Sequence, residues 1–435
     1  MISSAKTLQK IITDAGFKTL AAGGFVRDHL LGRKMNDVDL ATEALPEQVK
    51  QILASHRIAT FDTGLKHGSI TAVVDKINFE ITTLRIDKNC AGRAAEVEFV
   101  KSFEEDAKRR DFTINGLFMD LISGEIHDFV GGQEDLKNKK LRFIGNPETR
   151  IKEDFLRVLR FFRFKSVLGF HGDDLSENTS NSFIPYLAYV SQERIREEIF
   201  KLLNGNYVAD ILYGNRQLMF FVFPELIPCD GFKQNSHFHI YDVYTHMCKG
   251  VEWLTTFHDP ILSLAHLFHD IAKPFCHSVG KEGFDHFYGH EIEGEKIAAN
   301  MCYRLKLSKK ETERIKFLVR WHMSLHQSMN AQDYRRLIHR CSEFSDTMAE
   351  DLLRIYEADC RGMSLEKMQT MTKTKETFFE YMQHFQKKED FIEPLNGQEI
   401  IDLFQVPAGK KVGLIKNFLK QKVVDGELDP TDKQA

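Results

Sequence analysis

The stretch GGFVRDHLLGRKMNDVDLAT, residues 23–42, decides how the first third of the chain is read. Gly23 and Gly24 have no Cβ, so their backbone N–H groups can approach an anion closely. KTLAA upstream reads as a strand, and the residues after the glycines open a helix, whose N-terminal dipole favours negative charge. Arg27 and Asp28 fall in its first turn, and Arg27 can pair with a phosphate bidentately. Asp37 and Asp39 stand at i and i+2, which on a strand puts both carboxylates on one side. Two like charges held that close are costly unless a cation lies between them, and the hard, oxygen-preferring choice is Mg²⁺. Paired metals on such carboxylates activate a hydroxyl and stabilise the leaving oxygen of an in-line phosphoryl displacement. The segment reads as a cradle for a nucleoside triphosphate and Mg²⁺.

Around this segment, residues 1–140 mix strand and helix signals, and SITAVVDKINFEITTLR reads as a hairpin turning near Asp75 to Asn78. Glu80 in that hairpin reads as a strand-surface glutamate rather than a third acid near the metals. Strand signals stop after LRFIGNPETR, and from about 150 the apolar spacing is helical. The 435 residues suit roughly two to four domains. No apolar run approaches the ~18 residues of a membrane span, and the N-terminus carries no signal-peptide core. Seven cysteines without a CxxC pair read as reduced thiols in a cytoplasmic protein. The net charge of −4 gives no global pull toward nucleic acid, so such binding must use local clusters: KRRD (108–111), RVLRFFRFK (157–165), RRLIHR (335–340) and GKKVGLIKNFLKQK (409–422). No feature indicates a protein partner.

Arg110 lies in the dense KRRD run ahead of a strand-like FTINGLF, where it can reach triphosphate or sugar; Arg109 reads as a surface charge or a partner of Asp111. A helix over EDFLRVLRFFRF places Asp154, Arg157 and Arg160 on one flank with Arg163 a turn further, and Leu156, Leu159 and Phe162 on the packing face. An arginine beside a carboxylate offers five donors and two acceptors, enough to match the Watson–Crick edge of a base. The plain alternative is an exposed i,i+3 salt bridge between Asp154 and Arg157.

Residues 239–362 hold His246, His269–Asp270, His290, His322 and Asp359. Imidazoles and carboxylates spread over several helices suit a divalent metal site with a position open for water. His237, His239, His258, His266, His277 and His286 read as structural, and Lys273 as a phosphate contact.

These motifs, in this order, resemble the class II tRNA nucleotidyltransferase and bacterial poly(A) polymerase family of the polymerase-β superfamily. GGFVRDHLLGRKMNDVDLAT carries its signature, EEDAKRRDFTINGLFMD (104–120) its second motif, RIKEDFLRVLRFFRF (150–164) the next two, and residues 394–428 resemble the tail of bacterial CCA-adding enzymes. The resemblance implies an α+β head with a polymerase-β-like sheet (1–140), an all-α neck (141–225), a body with an HD domain (226–362) and a helical tail that binds tRNA (363–435). It implies template-independent addition of C, C and A to tRNA from CTP and ATP, with Asp37 and Asp39 as catalytic Mg²⁺ ligands. Gly23, Gly24, Arg27 and Arg110 would then hold the nucleotide, Asp154 and Arg157 read its base, and Arg160 and Arg163 make further contacts.

The histidine block resembles the HD phosphohydrolases: His246, His269, Asp270 and Asp359 match core ligands, and His290 and His322 the extra ligands of two-metal members. Such a site would hold Ni²⁺, Mn²⁺, Co²⁺ or Mg²⁺ and hydrolyse 2′,3′-cyclic or terminal phosphates. Segment 62–85 resembles the CCA enzymes rather than the poly(A) polymerases. The loop RIDKNCAGRAAEVEF has full length but carries Cys90 and Ala91 where tyrosine and aspartate are typical, and Ala94–Ala95 where proline is expected. An A-adding specialist or poly(A) polymerase, an HD repair phosphohydrolase with a non-catalytic head, and an RNA-binding relic stay as alternatives.

Overall fold

The computed structural model describes residues 1–35, 37–64, 68–88, 96–236, 238–384 and 394–428. The strands of the first part are β1 Thr19–Ala22, β2 Leu40–Thr42, β3 Ala59–Gly64, β4 Ser69–Val74, β5 Ile77–Thr83, β6 Arg85–Lys88, β7 Glu96–Phe99, β8 Leu117–Met119 and β9 Ile126–Asp128. β6 and β7 pair with each other, and the other seven form one sheet in the order β3-β4-β5-β2-β1-β8-β9. The expected hairpin is β4–β5, with Val74 opposite Ile77. Its tight turn holds Asp75 at φ 52° and Lys76 at φ 64°, the left-handed pair that matches the twist of two-residue hairpins. β2 runs parallel to β5, Leu40 beside Ile81, and antiparallel to β1. The helix Pro46–Ser55 supplies the crossover and buries Val49 and Leu53. The helix Ile2–Asp14 buries Ala5, Leu8 and Ile12 at helical spacing. Leu20, Ala22, Ala41, Leu84, Phe103, Ala107 and Phe118 form a core beneath β1 and β2.

Two expectations need correction beyond the sheet. Strands do not stop at 150: Lys140–Leu141 pairs with His171–Gly172, and Ser278–Val279 with Asp285–His286. Nor is EDFLRVLRFFRF one helix. A helix Pro147–Glu153 ends at Asp154, which is extended at φ −155°, and a second helix spans Leu156–Leu168. The second helix buries more than the expected stripe of Leu156, Leu159 and Phe162, adding Val158, Phe161 and Phe164. Phe112, wholly buried, lies 4.6 Å from Phe143, 5.4 Å from Phe164 and 6.2 Å from Phe161 between ring centroids. These rings tie the strand–helix part to the helices that follow it.

The chain forms two compact units, residues 1–198 and 199–435. The second is helical, with Val243–Leu254, Pro260–Phe268, His290–Arg304, Lys309–Trp321, Ala331–Phe344, Met348–Arg361 and the long polar Leu365–His384. Gly397–Phe404 and Lys410–Val424 follow, Asn396 capping the former with bonds from the Gln398 and Glu399 N–H groups. Among the described residues no helix is long and apolar enough to cross a membrane.

Phe112→Ala should lower the unfolding free energy of the first unit by about 3–5 kcal/mol, the usual cost of emptying a ring-sized core site. Urea unfolding followed by circular dichroism measures this; a loss below about 1 kcal/mol would mean that the aromatic cluster is not what joins these elements.

Candidate active sites

In the first unit, Gly23 turns the chain from β1 into the helix Gly24–Leu30 with φ +66°, a left-handed conformation that favours glycine. A Cβ there would meet Arg110 Nη1 at 2.8 Å, so the guanidinium lies directly over the turn. Arg110 is held by buried Asp106, its Nε donating to Oδ2 at 3.0 Å, and by the Asn115 carbonyl at 3.2 Å. Asp106 also accepts from Arg109 Nε at 2.8 Å, so Arg109 pairs with Asp106 and not, as one reading had it, with Asp111. Arg27 donates to both oxygens of Asp28, at 3.0 and 2.7 Å, and to Asn115 Oδ1 at 2.8 Å. Asn115, which the sequence did not single out, thus spaces both arginines beside the glycine turn.

Asp37 and Asp39 do not lie on β2 as expected; they precede it. The backbone still pins Asp39, whose carbonyl accepts from the Ala22 N–H at 2.9 Å, one residue before Leu40 pairs with Ala21. The Asp39 carboxyl is raised from 3.8 to about 6, first by the protein packed around it, then by the charges of Asp37 and Glu80, with Arg110 opposing. Asp39 keeps substantial solvent exposure, so the two neighbouring negative charges say more about this site than desolvation does. Glu80 is exposed on β5, as expected, yet it stands next to Ile81, the partner of Leu40, and so joins the acidic pair across the parallel strands. The cue was available in the hairpin pattern, but only the β2–β5 pairing gives it meaning. Asp37 and Glu80 thus act on Asp39 through their charge, and carboxylate oxygens are the donors Mg²⁺ prefers.

Asp154 sits at the helix break rather than on a shared flank, and it does not pair with Arg157. Its carboxylate accepts Arg194 bidentately, Nη1 at 3.1 Å and Nη2 at 2.7 Å. Arg157 instead bonds Glu153 and the Arg150 carbonyl. Arg160 donates to Asp111 Oδ2 at 2.7 Å, and Arg163 Nε lies 2.8 Å from Glu198 Oε2 over the Phe164 ring. Asp111 is held well below the usual carboxylate range: Arg160, Asn115 and the Phe112 N–H outweigh its burial, the largest single effect. Phe155, next to Asp154, stacks with Tyr186 at 5.2 Å, leaving Tyr189 exposed at the edge. Cys90, Ala91, Ala94 and Ala95, and His237, lie outside the described residues.

In the second unit His246, His269, Asp270, His290, His322 and Asp359 converge in a buried cluster. His246 Nε2 lies 2.7 Å from Asp359 Oδ1, His269 Nε2 3.2 Å from Asp270 Oδ2, and His290 Nε2 3.3 Å from Asp270 Oδ1. His290 and His322 face each other Nε2 to Nε2 at 3.2 Å. Each of these four histidines turns Nδ1 to a backbone carbonyl: Gly362 at 3.1 Å, His266 at 2.6 Å, Phe287 at 2.7 Å and Val319 at 2.7 Å, in sequence order. An Nδ1–H bonded outward leaves the Nε2 lone pair facing the centre, the arrangement of a metal-ligating imidazole. His246 and His269 Nε2, both Asp270 oxygens and Asp359 Oδ1 are buried without hydrogen-bond geometry to any partner. Two triads, His246–His269–Asp359 and His269–Asp270–His322, each bring ligand atoms within 4.8 Å of one another. Those orphaned atoms are what a divalent cation satisfies.

Burial pushes His322 down to about 4, so it is neutral and free to ligate. Burial also acts to lower His269, but Asp270 and Asp359 flank it and raise it to about 10, a proton that a cation would displace. His326 escaped the sequence reading; its Nε2 lies 2.8 Å from Asp359 Oδ2, and its place four residues after His322 was the available signal. His239, read as structural, lies 3.3 Å from Lys273 Nζ and lines the cavity over the cluster. Lys273 itself is buried and reaches Asp270 Oδ2 at 2.5 Å.

One chain thus joins a glycine turn lined by Arg27 and Arg110 beside the Asp39 carboxylate to a buried His/Asp centre. The comparisons agree: residues 19–142 match the poly A polymerase head domain, and residues 243–366 match the HD domain. The chain thus carries a poly A polymerase head domain and an HD domain in that order. The human mitochondrial CCA tRNA nucleotidyltransferase 1 is 39% identical over 268 residues, covering 60% of this chain and 59% of that protein. The CCA-adding enzyme of Lactobacillus helveticus is 43% identical over 200 residues, 46% of this chain and 49% of that one. The chain thus spans about half to three-fifths of the length of these relatives. The Bacillus stearothermophilus CCA-adding enzyme, solved in complex with CTP, superposes with TM-score 0.66 at 26% identity over 98% of this chain and 93% of that one. Both domain families are metal-dependent.

The raised carboxyl of Asp39 has a measurable sign. Its folded pKa, about 6, exceeds the unfolded 3.8, so its stabilising contribution is complete below about pH 4 and is lost as pH rises through 6. In metal-free protein Asp39→Asn should therefore gain Tm relative to the native chain between those pH values, and excess Mg²⁺ should close the gap from the native side. Parallel pH–Tm curves for the two proteins would show that the acids do not repel at this site.

Proposed function

We propose that this chain adds C, C and A, one nucleotide at a time and without a nucleic-acid template, to the 3′ end of tRNA from CTP and ATP. The observation that carries the reading is the convergence of Asp37, Glu80 and Arg110 on Asp39 beside the Gly23 turn. Mg²⁺ held by Asp37 and Asp39, with Glu80 adjacent, would supply Lewis-acid activation of the terminal 3′-hydroxyl and of the leaving pyrophosphate. Gly23, Gly24, Arg27 and Arg110 bind the triphosphate: the left-handed turn bares N–H groups, and two arginines spaced by Asn115 add bidentate donors. Asp154 and Arg157 present an acceptor and a donor fork for the base edge. In the free protein these are engaged by Arg194 and Glu153, and the base takes over those partners. Arg160 and Arg163, committed to Asp111 and Glu198, brace this helix behind the readers.

The division into head 1–140, neck 141–225, body 226–362 and tail 363–435 belongs to the same proposal, with the lysine-bearing helix Lys410–Val424 as a tRNA contact and a cytoplasmic setting. An A-adding specialist or a poly(A) polymerase are the variants the nucleotide assay below distinguishes. The HD site supports a second reading, hydrolysis of 2′,3′-cyclic or terminal phosphates at RNA 3′ ends, favoured by the orphaned inward-facing Nε2 and carboxylate atoms. Ni²⁺, Mn²⁺, Co²⁺ or Mg²⁺ held by His246, His269, Asp270 and Asp359, with His290 and His322 for a second ion, would polarise the phosphate and lower the pKa of an attacking water. A 3′-phosphate blocks nucleotide addition, so removing it restores the hydroxyl the head requires.

Arg157→Ala should lose base choice by one to two orders of magnitude while retaining part of the triphosphate affinity, because its donors read the base and not the phosphates. Incorporation of all four nucleotides into tRNA lacking CCA, and into tRNA ending in CC, measures this; strict C-then-A addition by the variant contradicts the base-reading role.

Asp39→Ala should abolish labelled CTP and ATP incorporation and keep cyclic-phosphate hydrolysis, and Asp270→Ala should do the reverse. Loss of both activities in either variant would overturn the assignment of two independent centres, and hydrolysis absent from the native chain with every metal leaves the HD block without the second reading.

A further inference from the structure

The cavity over the histidine cluster holds about 490 Å³, within the range of small-ligand sites. Its floor is Asp270, His290 and Asp359, already assigned to the metal-binding centre. Its rim carries groups that phosphate-ester hydrolysis does not need: Tyr288, Arg320 and Trp321.

Arg320 has no ion pair and no hydrogen bond among the described residues. Its contact is the ring of Trp321, with the guanidinium carbon 5.9 Å from the centroid. Arg340 lies 3.7 Å over the same ring, and the charge of Arg320 acts against it. A guanidinium that lines a cavity without a carboxylate is a donor set awaiting an anion. Of the other acids lining the cavity, Asp285 is held by His277 at 2.8 Å, and Glu291 forms no ion pair with Arg320 among the described residues.

Tyr288 is 79% exposed and stacks on His286 with centroids 5.2 Å apart and planes 15° from parallel. One face of this ring is thereby stiffened from behind. A flat aromatic left in solvent at a cavity mouth is a platform for another flat ring, and base–aromatic stacking tolerates any base.

We propose that the rim is a subsite for the end of an RNA chain: Tyr288 stacks the terminal base, and Arg320 pairs with the phosphodiester on its 5′ side, while the 2′,3′-cyclic phosphate lies over the His/Asp centre. The inference rests on the phosphohydrolase reading and adds to it the two side chains that hold the terminal nucleotide and the phosphodiester before it. A free cyclic mononucleotide has the base but no 5′ phosphodiester, so it leaves Arg320 unpaired. In the reaction, water oxygen bonds to phosphorus, one ring P–O bond breaks, and the departing ribose oxygen takes the water's proton, leaving a phosphomonoester.

The test compares three cyclic phosphates on the full chain loaded with Mn²⁺: the dinucleotide ApA ending in a 2′,3′-cyclic phosphate, adenosine 2′,3′-cyclic phosphate, and glycerol 1,2-cyclic phosphate, which has neither base nor 5′ phosphate. The native protein should prefer them in that order by kcat/KM. Arg320→Gln should cut the dinucleotide-to-mononucleotide ratio roughly tenfold, the worth of one charge-assisted contact. Tyr288→Ala should cut the mononucleotide-to-glycerol ratio by a similar factor. Equal native rates on dinucleotide and mononucleotide, or ratios unchanged in the variants, overturn the subsite and leave the phosphohydrolase reading standing. If the native protein hydrolyses none of the three, that reading falls, and binding still decides the subsite. The chain has two tryptophans, so in a Trp253→Phe background Trp321 fluorescence reports binding of ApA 3′-phosphate. A roughly tenfold weaker Kd for Arg320→Gln supports the subsite, and an unchanged Kd overturns it.

Discussion

Asp106 is the fixed point of the first site. It is 1% exposed and takes both neighbouring arginines, Arg109 and Arg110, so that two cations offset the cost of burying it. This bond sets Arg110 over Gly23, where a side chain would collide with it, and within reach of the Asp39 charge. The turn, the cation and the acids therefore form one unit. The glycine is needed first for its left-handed φ of +66°, and the guanidinium over the turn adds to the constraint. Losing Asp106 would free Arg110 and leave the acids without the opposing charge that now limits their repulsion.

The second site is built on a different economy. Its histidines come from helices and short turns far apart in sequence, yet each is locked the same way, by an Nδ1–H donated to a backbone carbonyl. For His269, His290 and His322 that carbonyl is three residues back in the chain, so local helical geometry alone sets the tautomer. His246 differs: it reaches Gly362, whose bare Cα lets the ring approach, since a Cβ there would stand 2.5 Å from His246 Nδ1. The buried acids gain their low pKa values from the surrounding cations in spite of burial, which acts the other way. Such a centre carries a large desolvation cost, which a bound divalent ion offsets.

Much of this was legible in the sequence. The glycine turn into a helix, the hairpin about Asp75 and the acidic pair follow from short-range pattern, while the ordered His/Asp set, spread over more than a hundred residues, was legible through its resemblance to the HD phosphohydrolases. What escaped was long-range or depended on where a helix stops. Glu80 looks like any strand glutamate until β5 is laid beside β2. His326 is one more histidine in a rich block until Asp359 presents its second oxygen to it. The helix break at Asp154 carries no glycine or proline to announce it; the periodicity of EDFLRVLRFFRF runs on through a residue whose backbone is extended. Propensity gives the pattern, and at the break the Asp154 carboxylate accepts both the Leu156 N–H and Arg194.

That break has a chemical consequence. On a continuous helix Asp154 and Arg157 would neutralise each other at i,i+3, and a base would have to compete with an intramolecular pair of ideal spacing. Off the helix, Asp154 holds Arg194 and Arg157 holds Glu153, so the acceptor and the donor fork are presented separately. In the proposed complex a base edge takes the place of Arg194 at Asp154 and of Glu153 at Arg157. A base with its donor and acceptor in matching positions completes both networks together. A base with them reversed would set its donor against a guanidinium and its acceptor against a carboxylate, leaving polar groups unpaired. On the proposed base-reading role, that penalty, more than the strength of the correct contacts, is what would let the pair choose a nucleotide with no template strand to read.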